Sequence, residues 1–178
     1  MSQVLKLILI ALFMAIGTVL HAVVPSFPMK PDLLLSMMFL AIFLLSDRKN
    51  FLVIGLVAGL LSGLTTTIPG GFLPNVIDKL ITASVIFGIF SLIRNVIPKY
   101  VNALVLTALG TVLSGTVFLT SLALFISLPP GTSFLGLFLA IVLPTAAINT
   151  VLMAVVFPIA QQIMKYSISN RNTVKKVG

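Results

Sequence analysis

Five side chains in this sequence carry the chemistry needed to hold a dipolar guest: His21, Lys30, Asp32, Asp78 and Lys79. Two carboxylates and two ammonium groups balance, so a site built from them suits a zwitterion better than a polyanion. A cation would meet the guest's carboxylate and an acid its ammonium. Such groups are scarce here, because only 8% of the 178 residues are charged while 59% are hydrophobic.

The stretch TTTIPGGFLPNVIDK at 65–79 concentrates the polar signal, with Thr66, Asn75, Asp78 and Lys79 as candidate contacts. Asn75 follows Pro74 where a helix is expected to start, so it also reads as an N-cap, with Asp78 completing a capping-box-like pair. Lys79 is harder to explain structurally. A cation in a first turn opposes the helix dipole, and its neighbour Asp78 points about 100° away around the helix. A ligand carboxylate would satisfy Lys79 together with free backbone N–H groups, whereas the structural alternative is that Lys79 snorkels to the headgroups. Asp32, after Pro31, is either a helix N-terminal acid or, like Asp78, an acceptor for a ligand ammonium.

Asn149 falls near the middle of the last apolar run, one turn beyond Pro144, and a buried amide at that depth needs a partner. It can bond the carbonyl freed by the proline or accept from a ligand N–H. Met37, Met38, Phe39, Phe72 and Phe118 are candidates for an apolar slot, although Met and Phe are ordinary core residues. His21 suits either an interfacial position or a ligand contact.

These residues are carried by a membrane protein. A mean hydropathy of +1.24 leaves too little polar surface for a soluble domain of this size. Apolar runs predict six helices near 4–24, 32–46, 50–68, 75–94, 101–128 and 134–164, an all-α polytopic bundle in one transmembrane domain over 1–166, followed by a basic tail over 167–178. The second run is short, so it tilts little, borrows flanking residues, or packs inside the bundle. With the N-terminus inside, Lys6, Arg48, Lys49, Arg94, Lys99, Lys165, Arg171, Lys175 and Lys176 are cytoplasmic, and only Lys30 and Lys79 are outside. That asymmetry places both termini in the cytoplasm and explains the charge of +8 through lipid headgroups, without nucleic acid.

Gly55, Gly59 and Gly63 strip one face of the third helix to backbone, and Gly110 with Ser114 is a shorter version in the fifth, so close helix packing is expected. Ala11 and Ala15 repeat the spacing in the first helix, where a partner subunit could dock. Pro144 and Pro158 should bend the sixth. Cysteine is absent, so thiolate sites are excluded, and one His with no cluster of ligands argues against a metal site. No nucleotide-binding loop is present, and no Ser–His or paired-acid constellation suggests an intramembrane enzyme.

The chain resembles the tryptophan transporter family TrpP, substrate-binding S components of energy-coupling factor (ECF) transporters. The likeness is carried by ALFMAIGTVLH at 11–21, MKPDLLLSMMF at 29–39, LTTTIPGGFLPNVIDK at 64–79, GTVLSGTVFL at 110–119 and LPTAAINT at 143–150. The resemblance implies a six-helix S-component bundle in a bacterial plasma membrane, binding L-tryptophan under its outer loops. It also implies docking, through Ala11 and Ala15, to a membrane coupling protein and two ATPases, which alone use ATP; the chain itself would need no cofactor. Two other readings remain at this level: an S component for another small zwitterion or aromatic vitamin precursor, and a structural protein of a cell-envelope complex.

Overall fold

The computed structural model describes residues 3–23, 32–45 and 47–177, with side chains through residue 165. Lys30, most of the first interhelical loop and the side chains of the basic tail lie outside the described residues.

The described residues form helices throughout: α1 (Gln3–Val23), α2 (Leu33–Leu45), α3 (Phe51–Leu64), α4 (Phe72–Ile93), α5 (Lys99–Phe125), a four-residue α6 (Phe134–Leu137), a π-helical turn (Phe138–Val142) and α7 (Leu143–Val177). The last three run on as one sixth unit. Four stretches are long and apolar enough to cross a bilayer: Gln3–Val23, Phe72–Ile93, Lys99–Phe125 and Phe134–Lys165. The helices α2 and α3 are shorter, at 13 and 14 residues.

The short α2 solves its length problem by avoiding lipid. Every residue except Leu44 is buried, and the helix packs against α1, α3, α4, α5 and α7. An element enclosed on all sides need not match the hydrocarbon thickness. Around it, apolar side chains such as Leu12, Val19, Leu56 and Leu109 face outward, as lipid contact requires.

Two boundaries differ from expectation, with one cause. The third helix was expected to reach 68 but ends at Leu64, and the fourth begins at Phe72 rather than 75. Pro69 disfavours helical backbone at Ile68, and Gly70 takes a left-handed φ of +74°, which glycine adopts without steric cost. The chain therefore turns within 65–71, and Gly71 N–H closes the turn on the Ile68 carbonyl at 2.9 Å. Pro74 then falls in the first turn of α4, where its missing N–H removes no bond.

The glycine face of α3 lies against α4. A Cβ on Gly59 would sit 2.9 Å from Val76 Cα, one on Gly55 3.0 Å from the Lys79 carbonyl oxygen, and one on Gly63 3.2 Å from Phe72 Cα. The packing reading of this motif is the observed one. It holds the residues before and after Asp78 in backbone contact with α3. Gly59→Leu is expected to force the helices apart and cost about 1–3 kcal/mol, the usual penalty for overpacking; a lowered unfolding midpoint in detergent measures it.

At the opposite end from the α3–α4 turn, Lys6 Nζ on α1 lies 3.4 Å from Asp47 Oδ2, just after α2. Arg48, Lys49, Arg94 and Lys99 cap or connect helices at this same end.

Candidate functional site

The interior of the bundle holds a buried ionic cluster. Lys79 Nζ, in the second turn of α4, lies 2.6 Å from Asp78 Oδ2 and 2.9 Å from Asp32 Oδ2. It also donates to Ser114 Oγ at 3.3 Å, on α5. Those three partners use all three donors of the ammonium. Ser114 in turn donates to Asp78 Oδ2 at 2.8 Å, and Thr82, one turn further along α4, donates to Asp78 Oδ1 at 3.0 Å. The second oxygen of Asp32 accepts the Leu35 backbone N–H at 2.9 Å, capping α2. It also lies 3.6 Å from His21 Nδ1 at the end of α1. Groups from α2, α4 and α5 thus meet at one lysine, and His21 of α1 joins the cluster through Asp32.

Among the described residues, two carboxylates surround one ammonium, and His21 stands beside Asp32. The two acids differ in access: the side chain of Asp78 is 1% exposed, that of Asp32 21%. Asp32 is therefore the acid a guest can reach.

A cavity of about 430 Å³ opens beside the cluster, within the size range of small-molecule sites. Its polar rim includes His21, Asp32, Thr66, Asn75, Asp78 and Lys79. Its apolar part is formed by Phe118 and Leu119 of α5 facing Ile141 and Val142 of the π turn. Gly115 permits that approach, since a Cβ there would stand 2.5 Å from Val142 Cγ1. The π turn has a visible origin. Pro144 has no N–H for the carbonyl four residues back, and the ladder widens before it, with Leu143 N–H reaching the Phe138 carbonyl.

Three sequence expectations are corrected here. Asn75 is no N-cap. With α4 starting at Phe72, it sits inside the helix, donates from Nδ2 to the Gly71 carbonyl at 2.7 Å and accepts from Ser62 Oγ at 2.8 Å, stitching α4 to α3. Asp78 likewise lies too far into the helix to complete a capping box. Finally, Asp78 and Lys79 are direct partners. Adjacent residues diverge on an exposed helix, but where water is excluded the four-carbon lysine stem folds back to the nearest charge. Lys79 is 1% exposed, so it does not snorkel.

Of the remaining candidates, Asn149 is fully buried behind the cavity wall and donates to Thr111 Oγ1 at 3.3 Å. Met37 packs in the core, 3.0 Å from where a Cβ on Gly17 would lie, and does not line the cavity. Met38 and Phe39 are core residues, Phe72 is partly exposed, and Phe118 alone of that apolar set borders the cavity. Ala11 and Ala15 are exposed on α1. Sequence reasoning did not assign Ser62, Thr82, Thr111, Ser114 and Thr145 to the site. The Thr82 spacing, four after Asp78, and the Gly110–Ser114 pair were the available signals. Among the described residues no group of three or more His, Cys, Asp or Glu could hold a metal ion.

A family model described as tryptophan transporter TrpP matches residues 3–165. A "probable tryptophan transport protein" of Bacillus subtilis (strain 168) is 48% identical over 164 residues, covering 91% of this chain and 94% of that relative. Proteins of the same description from Clostridium acetobutylicum and Clostridium perfringens are 40% identical over 162 residues and 38% over 172, each covering 90% of this chain and 94% and 93% of the relative. No solved structure matches the chain.

Proposed function

Because the chain belongs to the tryptophan transporter TrpP family, we propose that it captures L-tryptophan in the cavity beside Lys79 and delivers it inward with an ATP-driven ECF module. The observation that carries this reading is the pairing of one accessible carboxylate, Asp32, with an apolar slot in a single cavity. The ligand ammonium meets Asp32. Its carboxylate faces His21 and the Thr66 hydroxyl rather than Lys79, whose donors are already used. Lys79 is the post that holds both acids in place. The indole enters between α5 and the π turn.

The chain contains no Trp, so all indole fluorescence comes from the added ligand and none from the protein. Saturable change in that emission on adding L-tryptophan to purified protein is the expected result. No response from micromolar to millimolar ligand would overturn the reading.

In the membrane the chain has six spans with both termini cytoplasmic, and the nine-against-two distribution of basic residues supports that orientation. The cavity then faces outward and the basic tail meets lipid headgroups. Ala11 and Ala15, exposed on α1 beside Leu7, Ile8 and Leu12, present a flat apolar face to a coupling protein. The subunit needs no cofactor of its own, and two partner ATPases use the ATP. Ala11→Phe and Ala15→Phe are expected to leave tryptophan affinity unchanged and abolish ATP-driven uptake in vesicles carrying the complete module. Normal uptake would remove this face from docking.

A further inference from the structure

Thr145 lines the cavity on the sixth unit, and its hydroxyl has no partner there. Thr107 is buried with no partner and does not line the cavity, but Thr111, Thr116 and Thr150 each give the hydroxyl proton to the carbonyl four residues back, at 2.8, 2.8 and 2.7 Å. Thr145 does not. Its residue is 8% exposed, it lines the cavity, and its Oγ1 is buried with no hydrogen-bond partner. The carbonyl four residues before it belongs to Ile141, inside the π turn, where the helical ladder is widened.

A second orphan lies one turn away. Asn149 Nδ2 is fixed on Thr111, which leaves Asn149 Oδ1 as a buried acceptor without a partner. Residues four apart on a helix are neighbours on its surface. An unpartnered buried polar atom is costly, and two of them flanking a cavity wall mark a place where a guest completes the network. Around Thr145 the wall is apolar, formed by Val142 and Ile141 on its own unit and Phe118 on α5.

We propose that Thr145 is the specificity-determining residue that accepts the ring N–H of the indole, passing its own proton to Asn149 Oδ1. This rests on the assignment of tryptophan to the cavity. The chemistry is selective, because an indole nitrogen is a donor only and a hydroxyl with a committed proton is an acceptor only. A phenyl ring placed in the same slot leaves the acceptor side of the Thr145 hydroxyl unsatisfied.

Purified wild-type protein, Thr145→Val and Thr145→Ser are titrated with L-tryptophan and with L-tryptophan methylated on the ring nitrogen. Wild type is expected to bind the methylated ligand about tenfold more weakly, the scale of one lost buried hydrogen bond. Thr145→Val, which keeps the shape and removes the hydroxyl, is expected to bind tryptophan about tenfold more weakly and to discriminate no longer between the two ligands. Thr145→Ser should restore the discrimination. Persistent discrimination in Thr145→Val would mean that the methyl group is rejected on size alone, and it overturns the proposal, as does wild-type tryptophan affinity in that variant. A wild-type protein that binds no tryptophan overturns the parent reading and this one together.

Discussion

Lys79→Met lowers the stability of the protein by roughly 3–5 kcal/mol, the range for removing one partner of a buried ion pair. The size follows from what remains: two carboxylates facing each other, one of them with a side chain only 1% exposed. Ser114 and Thr82 each give Asp78 a hydroxyl proton, but among the described residues no other Lys or Arg pairs with either acid. Thermal unfolding in detergent should show a large drop in midpoint. The double variant Asp78→Asn, Lys79→Met should recover most of it, because the remaining acid, Asp32, is partly accessible to water. A single variant with the wild-type midpoint would mean that the cluster does not hold the helices together.

Asp32→Asn has the opposite profile, with binding lost and the fold kept. The substitution removes the accessible carboxylate while Lys79 retains Asp78 as its counter-ion. Asn is also a good N-cap, so the bond from Leu35 N–H that starts α2 survives. A hydrogen bond to a charged group contributes about 1.5–3 kcal/mol, so tryptophan affinity should fall by about tenfold to a hundredfold. Affinity equal to wild type, with an unchanged unfolding midpoint, would remove Asp32 from ammonium recognition.

Much of this site was legible in the sequence. Charged groups are so rare in the apolar runs that Asp32, Asp78 and Lys79 had to share a purpose, and the structure puts all three within one cluster. The glycine repeat of α3 also read directly as a packing face, because a stripped helix face has few other uses. The partnership between Asp78 and Lys79 was hidden. Surface geometry separates neighbouring side chains, and only exclusion of water makes a long stem fold back. The capping roles expected for Asn75 and Asp78 failed because the start of α4 depends on the turn at Gly70, three-dimensional information that Pro74 obscured. Ser114 and Thr145 were invisible for another reason. Hydroxyls are common in membrane helices and usually satisfy themselves on their own backbone, so the ones that turn inward are distinguishable only after the helices are packed. Met37 could not be placed by pattern, since α2 is apolar and buried on every side.

That enclosure of α2 has a mechanical consequence. At about 1.5 Å per residue its 13 residues make a rod of roughly 20 Å, well short of the hydrocarbon layer. Its length answers instead to the two acids that flank it, Asp32 tied to Lys79 at one tip and Asp47 tied to Lys6 at the other. A close-packed rod of this kind shifts as a unit. Both tips of the rod are thus tied to other helices by ion pairs, to α1 at one end and to α4 at the other.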